Sequence, residues 1–338
     1  MRYITFLLAV VSFISSAQKV FIKNVLEKLP TSIRGLSVVN DHVVWFSGSM
    51  GHVGRSINGG VSWNVQQVKD FEKVDFRSLY AFDSLNAIIA NAGSPASILK
   101  TMDGGKTWKE VYRNELKDIF LDGVDFWDAK RGIIYGDPID GRMVLLKTND
   151  GGNSWQEITK ENRPALSEGE ASFAASGTGI RCFDKSSVVI ATGGNFSRLW
   201  ISQNGGENWK PRDVPIIQGK ASAGIFSIAQ SSNKWIVVGG DFEVDTLKQR
   251  HILIGTTNGT SWSMPKKPTG GYRSGIEFIT GKIWIAVGQP GADVSFTDGR
   301  TWESIPNEKA LHVVRKARNG SRIFAAGNGR VAEIQIQK

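Results

Sequence analysis

The chain has 338 residues, 22% of them charged, and a formal net charge of +9, with the basic residues scattered singly rather than grouped in runs. Without a Lys/Arg stripe, nucleic acid is excluded as an expected partner, whereas an acidic protein, peptide or glycan is compatible with the charge. The only cysteine is Cys182, so no internal disulfide can form and packing must supply the stability.

The first seventeen residues are typical of a secretory signal peptide. Arg2 precedes an apolar run over residues 4–14, and three small residues follow at positions 15–17. We expect cleavage after Ala17 and a periplasmic or secreted protein that begins at Gln18. The apolar run is too short to anchor the chain, and no later stretch approaches about 18 consecutive apolar residues, so residues 18–338 are predicted to contain no transmembrane segment.

A motif of eight residues recurs six times after this segment. Each copy combines a hydroxyl residue or a near substitute, an Asn or Asp turn, a glycine and a final tryptophan. The copies end at Trp63, Trp108, Trp155, Trp209, Trp262 and Trp302, and successive tryptophans lie 45, 47, 54, 53 and 40 positions apart. A period in this range, with strand-like residues between the copies, predicts the blades of a propeller rather than a helical solenoid.

Four short strands are predicted in each repeat. The first repeat, from Gly35 to Val68, contains four β-rich runs separated by Asn, Asp and Gly turns. The same order returns in the segments Ser78–Val111, Gly123–Ile158, Thr178–Val214, Gly224–Met264 and Gly275–Ile305. Each segment therefore predicts a four-stranded antiparallel blade with the motif in the hairpin between its third and fourth strands.

The two ends of the chain together supply a seventh blade. Residues 311–314, 322–326 and 331–336 repeat the first three strands of a blade, and the alternating segment 19–25 offers the missing fourth strand. Pairing these ends would cover two exposed strand edges and close the ring. The sequence thus predicts an all-β, seven-bladed β-propeller whose last blade is closed by the N-terminal strand. We expect residues 18–338 to form a single domain and a monomer.

Two of the intervals between motifs are longer than the others. Their extra residues are polar insertions at 160–176 and 241–251, which are predicted to lie in loops between blades or between second and third strands. Long loops on a rigid scaffold are where binding residues concentrate.

The octet resembles the Asp-box, also called the bacterial neuraminidase repeat. The place of the Asp is taken by Asn58, Asp103, Asp150 and Asn204 in the first four copies. Thr257 and Thr297 take it in the copies that end at Trp262 and Trp302, and we expect those two turns to be built differently. In Asp-box families this hairpin lies on the rim opposite the ligand face, so the resemblance implies a structural rather than a catalytic role for these side chains.

Candidate binding residues stand where the innermost strands begin. A polar, small, aliphatic triplet recurs there at residues 34–36, 77–79, 122–124 and 178–180, and Arg273 precedes a similar triplet with a shift of one position. If the registers correspond, Arg34, Arg77 and Arg273 meet near Asp122 at one end of the channel, where guanidinium groups suit a carboxylate or phosphate ligand. The alternative is that each arginine only borders the channel and pairs with a nearby carboxylate, such as Asp122, Glu170, Asp241 or Glu277.

Further segments resemble a known family. Residues 168–178 (EGEASFAASGT), 222–228 (SAGIFSI) and 237–241 (VVGGD) look like a bacterial, non-photosynthetic branch of the photosystem II stability/assembly factor-like propellers. Photosynthetic members are non-enzymatic assembly factors that hold a membrane-protein precursor, and their arginine-lined face contributes. The resemblance implies a binding scaffold in which Arg34, Arg77 and Arg273 contact a protein or peptide partner that is acidic or membrane-associated.

The enzyme alternative is a sialidase-like glycoside hydrolase that acts on anionic glycans. That class combines Asp-boxes with three arginines around a carboxylate and a tyrosine nucleophile, and Tyr272 stands beside Arg273. However, the Arg-Ile-Pro signature is replaced by residues 32–35 (SIRG), and no Tyr–Glu pair can be assigned. The histidines lack metal-ligand spacing and no dinucleotide fingerprint is present, so we expect no metal and no cofactor, and we favour a non-enzymatic scaffold.

Overall fold

The computed structural model describes residues 18–337, which build seven antiparallel sheets. The predicted signal peptide, residues 1–17, lies outside the described residues, so the division of the chain at Ala17 stays a prediction. Within residues 18–337, no helix is long and apolar enough to cross a membrane.

The strands follow one another along the chain, and the first strand of each blade is the innermost. The N-terminal strand is β1 (Lys19–Leu26). Blade one contains β2 (Ile33–Val38), β3 (Val44–Gly48), β4 (His52–Ser56) and β5 (Asn64–Gln67). Blade two contains β6 (Phe76–Ala81), β7 (Ala87–Asn91), β8 (Ala96–Thr101) and β9 (Lys109–Asn114). Blade three contains β10 (Leu121–Phe126), β11 (Gly132–Ile139), β12 (Arg142–Thr148) and β13 (Gln156–Glu157).

The next blades carry additional short elements from the first insertion. A 3-10 turn (Lys160–Asn162) and β14 (Glu170–Ala171) precede blade four, which contains β15 (Ile180–Phe183), β16 (Ser187–Ala191), β18 (Arg198–Ser202) and β19 (Lys210–Asp213). Blade five contains β20 (Ala223–Gln230), β21 (Trp235–Asp241), β22 (Ile252–Gly255) and β23 (Trp262–Ser263). The two-residue strand β17 (Gly193–Gly194) joins β14 to β20, so this sheet has six strands.

The last two blades complete the ring. Blade six contains β24 (Gly275–Thr280), β25 (Ile283–Gly288), β26 (Gly291–Ser295) and β27 (Glu303–Ile305). Blade seven contains β28 (Leu311–Lys316), β29 (Ile323–Gly327) and β30 (Arg330–Gln337). Its outermost strand is β1, which pairs with β30 from Lys19 opposite Gln337 to Leu26 opposite Val331. Each inner strand contacts the next, and β28 contacts β2. The predicted seven-bladed propeller, closed by the N-terminal strand, is confirmed.

Apolar packing between neighbouring blades forms the core. Each of the seven blade interfaces has its own cluster of buried aliphatic and aromatic side chains. The tryptophan of each octet packs in the cluster between its own blade and the preceding one; Trp155, for example, lies with Ile88 and Ile98 of blade two, and Trp302 is 1% exposed beside Ile236 and Ile252 of blade five. Burial of these indoles joins each blade to its predecessor.

The octet hairpins repeat one hydrogen-bond pattern. In the second copy, Asp103 accepts the backbone N–H of Thr107 at 2.9 Å and its hydroxyl at 2.6 Å, while Thr101 Oγ1 accepts the N–H of Gly105. The last copy keeps this pattern with a hydroxyl in place of the carboxylate, because Thr297 Oγ1 accepts the N–H of Thr301 at 2.8 Å. The prediction that this turn is built differently is therefore wrong.

The fifth copy is built differently, as its sequence predicted. There the polar contacts pass to Asn258, which accepts hydrogen bonds from Thr256 Oγ1 and from the N–H of Thr260, and Thr257 takes no part in them. The polar contacts of this turn thus lie one residue nearer to the tryptophan than in the other hairpins.

Strand direction assigns the loops to two faces. We call the face where the inner strands begin the strand-start face, and the face that carries the octets the hairpin face. Because neighbouring strands are antiparallel, connections between blades and between second and third strands lie on the strand-start face. Both insertions, 160–176 and 241–251, are connections of these two kinds, so they extend the face opposite the octets.

Candidate functional site

A β-bulge near the start of five inner strands turns one side chain per blade into the channel mouth. In each case the pairing with the second strand shifts by one residue and leaves one residue unopposed. A bulge of this kind re-aims the extra side chain. The unopposed residues are Arg34, Arg77, Asp122, Phe226 and His312, and all five line one cavity at the strand-start face.

The Gly or Ser that follows four of the five bulges is explained by the close approach of neighbouring strands. A Cβ atom on Gly35 would lie 2.2 Å from Ser47 Oγ and 3.0 Å from Leu79 Cβ. The recurrence of Gly or Ser in the sequence triplets is therefore a packing requirement of the bulge, and the residue before it is free to vary.

The structure does not bring Arg273 to this cavity, and that part of the sequence prediction is wrong. Gly275 pairs with Val287 as Gly35 pairs with Ser47, so Ser274 is the counterpart of Arg34 and Arg273 comes one residue earlier. A shift of one residue in a strand moves a side chain to the opposite face. The Arg273 side chain is 3% exposed and forms a buried ion pair with Asp293, with Nε 2.7 Å from Oδ2.

The cavity has a volume of about 440 Å³ and lies over the channel mouth. Besides the bulge residues, both insertions contribute to it. The first supplies Ser172, Phe173, Ala174 and Ala175, and the second supplies Phe242 and Asp245. The two long intervals in the sequence thus correspond to the two loops that build one wall of this mouth.

That wall is aromatic. Phe173 and Phe226 stack with ring centroids 3.8 Å apart, Tyr272 meets Phe226 edge-on at 4.8 Å, and Phe242 approaches it at 6.2 Å. Phe242 is half exposed. Packed against one another, these rings form a preformed apolar surface, and Phe242 is its solvent-facing edge. Such a surface suits an apolar side chain of a ligand.

The adjoining wall carries the two arginines in unequal environments. Arg77 Nε donates to Asp75 Oδ2 at 2.7 Å, so its charge is already paired. Arg34 has no carboxylate partner within residues 18–337, and its Nη1 donates to the backbone carbonyl of Ala175 at 3.1 Å. Burial and the charge of Arg77 lower the pKa of Arg34, so an anion beside it would relieve an unfavourable, partly desolvated charge.

Two carboxyl groups lie beside the arginines. Asp122 is fully buried and neither of its oxygens has a hydrogen-bond partner among residues 18–337. Burial, followed by the proximity of Asp137, raises the pKa of Asp122 well above its usual value, and burial raises that of Asp137, which accepts the N–H of Ser172 at 3.0 Å. A raised pKa favours the protonated carboxyl, which does not compensate the arginine charge and can donate a hydrogen bond.

Two further polar side chains of the mouth, His312 and Tyr272, are neutral near pH 7. Burial and the nearby Arg34 lower the pKa of His312 to about 4, and burial raises the pKa of Tyr272. His312 Nε2 lies 2.9 Å from Asn328 Oδ1. Neither group is prepared by a neighbouring base or metal for nucleophilic work.

The carboxylates considered as arginine partners from the sequence have other roles. Glu170 binds Arg198 at 2.7 Å, Asp241 lies 3.4 Å from Lys220, and Glu277 binds Arg181 at 2.9 Å. Arg34 and Arg77 are therefore not neutralised by these three groups. Within residues 18–337, no group of three or more His, Cys, Asp or Glu side chains is arranged to hold a metal ion.

Sequence reasoning missed four of the side chains that shape this mouth. Phe226 occupies the bulge position and is followed by Ser227, so alignment on the small residue after the bulge would have found it. His312 occupies the same position in blade seven but is followed by Val313, so the small-residue pattern does not mark it. Asp137 lies near the end of the second strand β11, and Phe242 directly follows the second strand β21, where a loop of the strand-start face begins.

Comparisons with known proteins agree with this architecture. Residues 91–166 match the family described as Photosynthesis system II assembly factor YCF48. A solved structure of YCF48 bound to D1 peptide is similar at 14% identity and a TM-score of 0.68, with 97% of each chain covered. YCF48 from Cyanidioschyzon merolae is similar at 18% identity and a TM-score of 0.67, with 92% of this chain and 98% of that chain covered.

More distant propellers share the fold alone. The GH74 xyloglucanase from Xanthomonas campestris is 12% identical with a TM-score of 0.62, and 93% of this chain covers 53% of that one. No curated protein matches the sequence. The predicted resemblance to YCF48-type propellers is confirmed by the family and structural matches, while the bacterial, non-photosynthetic branch stays a prediction.

Proposed function

We propose that this YCF48-like propeller is an exported, non-enzymatic scaffold that holds an extended segment of a partner protein in the cavity of the strand-start face. The observation that carries the proposal is the juxtaposition in one cavity of an aromatic wall and an arginine without a carboxylate partner, Arg34. Such a site offers an apolar surface and one fixed cation, which together select a peptide with an apolar side chain near a carboxylate.

The similar propeller that was solved with a D1 peptide supports this choice of ligand class. Its fold extends over the whole of the described chain, so a peptide is a ligand that this architecture can accept. At 14% identity the likeness says nothing about which peptide is bound, and the proposal therefore rests on the residues of this cavity.

Exposed apolar side chains on the strand-start face, one of them in the cavity, favour a protein partner over a small molecule. Phe242 is 50% exposed, Val244 46% and Phe196 42%, and all three lie in loops of the strand-start face. Large exposed apolar residues grouped at a rim of a cavity are typical of protein interaction sites. The partner we propose is acidic at the contact, because Arg34 is the charge left uncompensated.

A peptide display experiment tests the binding site. Peptides selected from a random library against residues 18–338 should be enriched in an acidic residue close to an apolar one. Arg34→Gln and Phe242→Ser should each weaken their binding about tenfold, through loss of a charge-assisted hydrogen bond or of apolar contact. Arg113→Gln is the matched control, since Arg113 is an exposed arginine on the outermost strand of blade two, is paired with Glu110 and Glu115, and does not line the cavity.

A photo-crosslinking amino acid distinguishes the two faces. Placed at Phe242 it should label a bound peptide, and placed at Val61, which is 83% exposed in an octet hairpin, it should not. Labelling from Val61 alone, or equal affinity of wild type and both cavity variants, would overturn the proposed face.

Export is tested separately. The protein purified from the periplasm or medium of an expressing bacterium should begin at Gln18, as read by N-terminal sequencing. An intact Met1 terminus in the cytosolic fraction would contradict the proposed localisation without bearing on the peptide site.

The sialidase-like alternative retains one supporting observation, the presence of Tyr272 in the cavity next to the arginine wall. Against it, Arg273 is buried away from the cavity, and the lining acids are Asp122, Asp137 and Asp245 with no Glu among them. Hydrolysis of a fluorogenic sialoside that disappears in Tyr272→Phe would establish this alternative in place of the scaffold.

A further inference from the structure

A second cavity lies at the other end of the channel, on the hairpin face. Its volume is about 220 Å³. The inner strands line it with residues three positions after the bulge, Asp125 and Arg315, and with the corresponding residues of blades four and six, Arg181 and Glu277. Lys316 and Arg318 follow Arg315 and also line it. Four cationic side chains thus face two carboxyl groups, which leaves an excess of at least two positive charges.

The two carboxyl groups are already engaged. Asp125 Oδ2 accepts the backbone N–H of Cys182 at 2.8 Å, and Asp125 Oδ1 accepts that of Phe126 at 2.9 Å. Glu277 Oε2 accepts a hydrogen bond from Arg181 Nη2 at 2.9 Å. Arg181 also donates to two backbone carbonyls, those of Ile228 and Ile276. These groups therefore form a hydrogen-bonded network in which both carboxyl groups are already engaged.

Arg315 stands outside that network. Its nearest carboxylate oxygen is Glu277 Oε2 at 3.9 Å, too far for a hydrogen bond, and within residues 18–337 its guanidinium has no hydrogen-bond partner although its side chain is only 18% exposed. Lys316 forms no ion pair within the same part of the chain. A partly desolvated guanidinium and an ammonium side by side are unfavourable unless an anion joins them.

Arg318 completes the group and is held in place. Its Nη1 donates to Ser37 Oγ at 3.0 Å, its Nη2 donates to the carbonyl of Ala81, and its guanidinium lies 4.4 Å from the centroid of the Tyr80 ring. Its Nε remains without an acceptor. The cavity thus presents a fixed guanidinium edge opposite the unpaired Arg315, and such edges match the oxygens of carboxylates and phosphates.

We propose that this hairpin-face cavity binds a small oxyanion with two negative charges, of the phosphate type, between Arg315, Lys316 and Arg318. The excess of two charges matches such an anion. A volume of about 220 Å³ admits phosphate or a small phosphate ester and excludes a polypeptide segment.

This site is independent of the proposed peptide site. Side-chain hydroxyls bridge neighbouring inner strands between the two cavities: Ser78 Oγ donates to the carbonyl of Asp122 at 3.0 Å, Ser274 Oγ donates to that of His312 at 2.7 Å, and Thr178 Oγ1 lies 2.5 Å from Ser227 Oγ. Each mouth therefore has its own lining and can be disabled without the other.

Isothermal titration with inorganic phosphate tests the proposal, with the ionic strength held constant by sodium chloride. One phosphate should bind per chain, and sulfate should bind comparably, whereas acetate should bind much more weakly because it brings a single charge. Arg315→Gln should weaken phosphate binding about tenfold or more, since it removes a charged donor. The fold should tolerate this change because Glu277 keeps its pairing with Arg181.

Two controls carry the same loss of charge. Arg113→Gln, on the outer part of blade two, and Arg34→Gln, at the strand-start face, should leave the phosphate affinity unchanged. If Arg315→Gln does not fold, Lys316→Gln gives the same test. Phosphate heats equal to those of chloride, equal affinities of the Arg315 and Arg113 variants, or acetate binding as tight as phosphate would each overturn the proposal.

Discussion

Four inner strands, β2, β6, β10 and β28, line both mouths of the channel at positions three residues apart, yet the two mouths differ in how their charges are compensated. On strand β10, Asp122 at the strand-start mouth has no hydrogen-bond partner, whereas Asp125 at the hairpin mouth accepts two backbone N–H groups. A bulge and two inserted loops separate the first mouth from the regular ladder. Polar groups at the strand-start mouth therefore lack the hydrogen-bond partners that regular strand pairing would supply, and they can bind a ligand.

The largest expected effect is on the free energy of unfolding, which should fall far more on substitution of Arg273 than on substitution of an arginine of the mouth. Arg273→Ala removes one partner of a buried ion pair and leaves Asp293 charged in the interior, so the free energy of unfolding should fall by about 3–5 kcal/mol. Arg34→Ala, at the mouth, should change it by less than about 1 kcal/mol. Urea denaturation measures both. Equal losses would mean that the strand-start mouth is as tightly paired as the interior, and the contrast drawn here would fail.

Asp122 and Asp125 should respond in opposite directions to the same substitution. The pKa of Asp122 is raised in the folded state, so the stability linked to its proton is present below about pH 4 and is lost as the pH rises through the folded-state pKa. Asp122→Asn should therefore be near neutral at pH 4 and stabilise the protein by about 1–3 kcal/mol at pH 8.

Asp125→Asn removes one of the two acceptors used by Cys182 and Phe126, and it should lower the free energy of unfolding by about 1–2 kcal/mol at pH 7. Thermal unfolding of both variants across pH 4–8 supplies the comparison. A destabilised Asp122→Asn at pH 8 would show that Asp122 is ionised and paired after all.

The carboxylates of the octets should show the reverse pH dependence. Hydrogen bonds from the side chain and backbone of Thr107 lower the pKa of Asp103 to about 2. Its contribution is therefore complete above about pH 4 and is lost as the pH falls toward 2. Asp103→Asn should cost about 1 kcal/mol at pH 7, allowing for solvent exposure, and nothing at pH 2.

The copies that carry Asn58 and Asn204 already have the amide in this place and serve as internal references, because Asn58 Oδ1 still accepts the N–H of Ser62 at 2.9 Å. Unfolding of wild type and Asp103→Asn in urea at pH 2 and pH 7 is the measurement. A cost that persists at pH 2 would assign the effect to packing rather than to the charge.

The fold was predictable because its determinants are local and repeated. Each octet specifies a hairpin by itself, and the alternating segment at 19–25 has an obvious partner once the blades are counted. The site was predictable only in part, because the positions of Arg34, Arg77 and Asp122 depend on a bulge that the small residues following them mark. The prediction for Arg273 was wrong because a shift of one residue in register decides whether a side chain lies at the mouth or in the interior. No local sequence pattern indicates the ion pair with Asp293.

The smallest expected effect concerns the last octet. Its stability can be raised by placing at position 297 the Asp that other octets carry there. Thr297 Oγ1 accepts the N–H of Thr301 at 2.8 Å and lies 2.7 Å from its hydroxyl, the same two groups that Asp103 binds in Thr107. Thr297→Asp should therefore replace neutral hydrogen bonds by charge-assisted ones and raise the free energy of unfolding by up to about 1 kcal/mol at pH 7.

Thr297→Asn is the matched control, since it restores the shape found with Asn58 and Asn204 without the charge. The gain from Thr297→Asp should disappear as the pH falls from about 4 to 2, and that from Thr297→Asn should not change. A loss of stability in Thr297→Asp at neutral pH would mean that repulsion from the adjacent Asp298 exceeds the gain from the hydrogen bonds. No corresponding stabilising substitution can be designed for the strand-start mouth. Its bulge residues differ from blade to blade, so there is no common hydrogen bond that a substitution could copy from another blade.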